Sequence, residues 1–149
     1  MSAAYEPPCR YLFMWVTRDR HDLYTRIDAR VHAMIQAGWV DEVEALRGTD
    51  WESFLRSKKI IGYEQIFDYL DGRYSSLEEV IPLIAQRTRN YAKRQGTFWN
   101  MLHKKLIAAR KNKLELDDSN AKIEVINLTL LNLDLYIEQL SRRLEDIFA

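Results

Sequence analysis

Residues 75–113 read SSLEEVIPLIAQRTRNYAKRQGTFWNMLHKKLIAARKNK, and this stretch decides the fold class. Ser75 or Ser76 can cap a helix whose first turn holds Glu78 and Glu79, opposite in sign to the positive end of the helix dipole. Pro82 falls within the first two turns, where a missing N–H is easiest to tolerate. A long helix is therefore predicted as far as the 108–111 region. Its weak point is Gly96, which costs about 1 kcal/mol relative to alanine inside a helix.

The same stretch is charged in one sense only. From Arg87 to Leu114 there are nine basic residues (Arg87, Arg89, Lys93, Arg94, Lys104, Lys105, Arg110, Lys111 and Lys113) and no acidic one. Acidic residues outnumber basic ones 14 to 10 before it and 8 to 3 after it, so the 22 cations and 22 anions of the whole chain cancel. A cationic segment between acidic flanks attracts phosphates in spite of a neutral total. The plainer reading is a solvated helix face. Tyr91, Phe98 and Trp99 are interleaved with the cations, and rings so placed either stack bases or belong to a core.

Composition sets the outer limits. The chain has 149 residues, 47% of them hydrophobic and 30% charged, enough to bury one domain's core. Its 5 glycines, at 38, 48, 62, 72 and 96, lie ten or more residues apart, which excludes a GxxxxGK phosphate loop and a GxGxxG dinucleotide fingerprint. Cys9 is the only cysteine, so neither a disulfide framework nor a cysteine zinc site is possible, and a reducing compartment is expected. Short apolar runs and the absence of a signal-peptide core predict a soluble, cytoplasmic protein.

Outward from the basic helix, further elements can be read. Residues 11–17, YLFMWVT, form a short run suited to a buried strand, yet no second strand of that kind follows nearby. Left without its sheet, this segment is expected to promote dimerisation or aggregation. Asp19 can cap a helix bearing Leu23, Ile27, Val31 (or Met34) and Ile35. Gly38 interrupts it, and Trp39, Val43 and Leu46 continue as a second short helix to Gly48. Residues 48–59 read as polar, with Trp51 and Phe54 as anchors, and 60–70 as helical up to Asp71-Gly72. The alternating stretches 113–117 and 123–129 suggest a β-hairpin, followed by a terminal helix with Leu135, Ile137, Leu140, Leu144 and Ile147.

No catalytic constellation is complete in these residues. His21, His32 and His103 are scattered without metal-ligand spacing, no serine sits in a GxSxG elbow, and Cys9 has no adjacent histidine. Asp41, Glu42 and Glu44 are accounted for by the start of a short helix. Anion-binding material is present. Arg26 and Arg30 are one helical turn apart and could meet one anion, with Arg20 joining them, or could pair with Asp22 and Asp28. Arg89 and Lys93 are likewise one turn apart, beside Arg94 and Gln95.

Four stretches, in order, resemble the C-terminal half of tRNA dimethylallyltransferases. Residues 23–34, LYTRIDARVHAM, are similar to that family's LxxRIxxRVxxM, and residues 38–46, GWVDEVEAL, to its GLxxEVxxL. Residues 59–64, KIIGYE, with 69–72, YLDG, match an IGYxE…YLxG segment. Residues 88–97, TRNYAKRQGT, look like TRxYAKRQxT, the most specific of the four. One departure is Thr97-Phe98-Trp99-Asn100, where the family usually has TWFR.

This resemblance implies transfer of a dimethylallyl group from its diphosphate to N6 of the adenosine next to the anticodon, with that base turned out of its stack. It implies a mainly α chain: the helical C-terminal part of a P-loop-type α/β enzyme, with a leftover core strand at about 11–17 and the hairpin at about 113–129. One domain is expected, made of a lead-in and strand (1–17), a helical tRNA- and diphosphate-facing region (18–111), and a hairpin with a helix (112–149). The family's phosphate loop, Mg2+ ligands, general-base aspartate and threonine all precede the part seen here. Arg20, Arg26 and Arg30 inherit a place near the diphosphate. Lys59, Gly62, Tyr63, Arg89, Lys93, Arg94 and Gln95 inherit contacts to tRNA, Gly62 by allowing close backbone approach. The chain alone is expected to bind tRNA weakly and to transfer nothing. Two other readings stay open: a non-catalytic helical RNA-binding module, and a structural module that self-associates through residues 131–148.

Overall fold

The computed structural model describes residues 11–111, 121–127, 129 and 136–142. The elements are β1 (Tyr11–Thr17), α1 (Arg20–Gln36), α2 (Trp39–Ala45), α3 (Asp50–Lys58), α4 (Tyr63–Leu70), α5 (Leu77–Lys111) and β2 (Ala121–Asn127), with a further helical stretch at 136–142. The chain is mainly α, as its patterning predicts. Where one domain in three successive stretches is expected, it divides into two compact units, Leu23–Thr97 and a discontinuous one built from 1–22 and 98–149.

The continuous unit is a small helical core. Ile27 and Val31 of α1, Trp39 and Val43 of α2, Ile66 and Phe67 of α4, and Val80, Ile84 and Ala85 of α5 are buried together. Ile27 and Val31, Trp39 and Val43, and Val80 and Ile84 are each one helical turn apart, and removing these side chains from water holds the helices together. The chain turns between α1 and α2 at Gly38, whose φ of 93° suits glycine and few other residues. At the start of α4 the Gln65 Oε1 accepts the Gly62 N–H at 2.9 Å, satisfying a donor that the helix leaves over. Before α5, the Glu79 side chain accepts the Ser75 N–H at 3.3 Å.

Residues 50–58 correct the sequence reading. They form α3, a helix with no buried residue, and the supposed anchors are exposed, Trp51 by 61% and Phe54 by 48%. An ion-pair network ties α3 to the end of α4. Arg56 meets Glu52 at 2.9 Å and Asp71 at 2.8 Å and lies over the Phe67 ring at 4.5 Å. Arg47 also pairs with Asp71 at 3.0 Å, and Arg73 with Asp68 at 2.9 Å. Burial works against the Arg56 charge, but Glu52 and Asp71 hold its pKa above the ordinary value. The Gly48 N–H, followed by Arg56, keeps the Glu52 carboxyl below the usual carboxylate range.

The discontinuous unit contains a second correction. β1 is not partnerless: it pairs with β2 in parallel, in register from Tyr11 opposite Ala121 to Thr17 opposite Asn127. Residues 121–127 thus have β1 as a parallel neighbour, while the other arm of the expected hairpin, 113–117, lies outside the described residues. Period-two alternation identifies a strand without saying which neighbour it takes. Side chains at the carboxyl ends of both strands interlock: Asn127 Nδ2 donates to Asp19 Oδ1 at 2.8 Å, and the Asp19 N–H donates to Thr129 Oγ1 at 2.9 Å. Ile126 is buried, whereas Met14, Val16 and Val125 stay exposed. In the terminal helix, the part described is 136–142.

Candidate nucleic-acid interface

The 88–97 stretch forms the middle of α5, and its two faces differ. Ile84 and Ala85, and beyond them the half-buried Thr88 and Ala92, turn toward the core. Asn90, Lys93, Arg94 and Thr97, spaced three, four and seven residues on, line an open surface recess of about 400 Å³. Both cations are exposed, and among the described residues neither is in an ion pair. The Arg94 guanidinium lies 5.7 Å from the centroid of the exposed Tyr91 ring. Two cations, an amide, a hydroxyl and a ring on one helix face can bind phosphate oxygens and offer a stacking surface beside them. Further along α5, in the other unit, Phe98 and Trp99 are also exposed, with centroids 5.6 Å apart.

Arg89 is placed differently. It pairs with Asp28 of α1, donates to Gln86 Oε1 at 3.0 Å, and lies over the Tyr24 ring at 5.8 Å. Its charge ties α1 to α5 at the edge of a groove of about 400 Å³ shared with His32, Glu78 and Pro82. Sequence spacing treats Arg89 and Lys93 alike, because nothing local announces an aspartate 61 positions away. Gln95 is exposed but lies outside the recess.

The IGY segment has structural reasons of its own. A Cβ on Gly62 would fall 2.0 Å from Trp39 Cη2, and the residue's φ is 92°. The close approach here is to the Trp39 ring. Tyr63 stacks edge-on against that ring at 5.8 Å, and its hydroxyl donates to Glu42 Oε1 at 2.6 Å. The Glu42 carboxylate, followed by burial, raises the Tyr63 pKa above the ordinary phenol value. Glu42 thus connects the GWVDEV and IGYE stretches, a link that sequence order does not reveal. Lys59 is exposed at the end of α3, with a φ of 50°.

Arg26 and Arg30 are exposed one turn apart on α1, on the side away from Ile27 and Val31. Arg20 opens the same helix and belongs to the unit that contains β1. Among the described residues, no group of three or more His, Cys, Asp or Glu side chains could hold a metal ion. Nor, among the described residues, is any helix long and apolar enough to cross a membrane.

Known proteins place the chain. The tRNA dimethylallyltransferase of Thermotoga maritima is 43% identical over 86 residues, 58% of this chain and 28% of its own length. That of Alkaliphilus metalliredigens is 42% identical over 99 residues, 66% of this chain and 30% of its own. The chain thus spans about a third or less of these relatives. The crystal structure of the full-length tRNA isopentenylpyrophosphate transferase from Bacillus halodurans superposes with a TM-score of 0.63 at 26% identity, covering 91% of this chain and 38% of that one. The corresponding transferase from Staphylococcus epidermidis shares the fold, with a TM-score of 0.60 at 22% identity, covering 95% and 38%. The sequence model of the IPP transferase family matches residues 1–102. The chain belongs to the IPP transferase family.

Proposed function

We propose that this chain is the tRNA-holding part of a tRNA dimethylallyltransferase, which moves a dimethylallyl group from its diphosphate to N6 of the adenosine beside the anticodon. The observation that carries this reading is the open cationic recess of Asn90, Lys93, Arg94 and Thr97, formed by the motif that most specifically resembles the family. Lys93 and Arg94 pair with phosphates of the anticodon stem and fix its position, which carries no sequence information by itself. Lys59 and Tyr63 add contacts from other elements, and Gln95 from α5 itself. Arg89 acts from behind, holding α1 against α5 through Asp28. Arg20, Arg26 and Arg30 face the diphosphate, where guanidinium groups neutralise charge on the leaving group. Activation of the diphosphate, its magnesium and removal of the N6 proton fall to residues outside this chain.

Replacing Lys93 and Arg94 together by glutamate tests the reading. Titration of a synthetic anticodon stem-loop RNA against the chain at several salt concentrations should give weaker binding and a salt slope reduced by roughly one to two counterions. Wild-type affinity and slope in the double variant would reject it. In a transfer assay with dimethylallyl diphosphate, the chain alone should form no modified adenosine; full turnover would overturn the division of labour.

A further inference from the structure

α3 packs Leu55 partly against the core but leaves its two rings exposed. Its long polar side chains are turned inward, Glu52 to the Gly48 N–H and Arg56, and Arg56 to Asp68 and Asp71. Its aromatic side chains are turned outward. Trp51 and Phe54 stand one turn apart with ring centroids 5.9 Å from one another at 88°, and the Lys58 ammonium lies 5.9 Å from the Phe54 centroid. Lys59 follows, also exposed. The nearby acids are engaged elsewhere, Asp68 and Asp71 by Arg47, Arg56 and Arg73. Asp50 remains on that side, in the first turn, where the helix dipole accounts for it.

Two large exposed rings with cations at one edge, and with Glu52, Asp68 and Asp71 paired to arginines, form a surface for π-faces joined by negative charges. We infer that the Trp51–Phe54–Lys58 face of α3 is a stacking platform for unpaired nucleotides of an RNA, one base against Trp51 and the adjoining phosphate toward Lys58 and Lys59. Stacking of this kind tolerates any base, because every base has a π-face. The inference rests on the RNA-binding reading above and adds to it a second, non-ionic point of attachment.

The experiment uses the whole chain, the same anticodon stem-loop RNA, and a blunt duplex of the stem sequence alone. Trp51→Ala should weaken stem-loop binding about fivefold or more, the loss of one stacked base, and leave the salt slope unchanged. Trp51→Phe should retain most of the affinity. Neither change should alter duplex binding, whose bases are already stacked, and circular dichroism melting should be that of the parent because Trp51 is exposed. If Trp51→Ala binds the stem-loop like the parent while the Lys93/Arg94 double variant is impaired, the platform is refuted and the cationic recess stands. If duplex binding falls equally, the face meets backbone and not bases, which also refutes it. If neither Trp51→Ala nor the double variant affects binding, both the platform and the cationic recess are refuted as the RNA contacts.

Discussion

α3 and α4 follow one another in the chain, nine and eight residues long, and are held in opposite ways. α4 buries Gln65, Ile66 and Phe67, so its rotation is set by packing. α3 has no fully buried residue: Leu55 packs partly against the core, and Arg56 with its carboxylate partners supplies the rest of the attachment. α4, held by its core contacts, leaves no large hydrophobic side chain exposed. A helix held by charge keeps its rings available. The difference separates a scaffold element from a presenting one within a single compact unit.

The largest effect that could break this contrast is Phe67→Ala. Phe67 is fully buried, and its truncation leaves a cavity, so urea denaturation should register a loss of about 3–5 kcal/mol. A loss below 1 kcal/mol would mean that packing does not fix α4. Next is Gly62→Ala at the entrance to the same helix. A positive φ together with a clash against Trp39 should cost about 3 kcal/mol in the same measurement. The attachment of α3 is expected to be weaker. Arg56→Met should cost about 1 kcal/mol, and the loss should shrink in high salt, because the arginine is partly exposed and its network is screened. An equal loss for Phe67→Ala and Arg56→Met would erase the distinction.

The smallest effect is a pH dependence. The folded Glu52 carboxyl is held below its unfolded value, so its stabilisation is complete above the unfolded pKa and disappears as pH falls through the folded one. Thermal melts of Glu52→Gln and the parent should differ slightly near neutrality and converge in acid. A difference that grows in acid would reverse the sign and remove Glu52 from the attachment.

Much of the contrast was legible in the sequence and part of it was not. Gly38, Gly48 and Gly72 punctuate the helices, and the spacing of Ile27 and Val31 gives the buried face of α1 correctly, because both signals are local. The acid-free run gives the outward cations of α5. Trp51 and Phe54 mislead, since a ring inside a polar stretch looks like an anchor when the partners of Arg56 lie up to 15 positions away. Arg89 and Lys93 separate only once Asp28 is in place. β2 is readable as a strand, but its parallel pairing with β1 depends on residues over a hundred positions apart.

That pairing also orders the chain in time. The unit from Leu23 to Thr97 is continuous, so its contacts can close as soon as those residues have left the ribosome. β1 is synthesised before β2, and this hydrogen-bonding mate becomes available only after another hundred or so residues have been added. During that interval its amide edge is an open template for any passing strand. Newly made chains should therefore depend on chaperones most for β1.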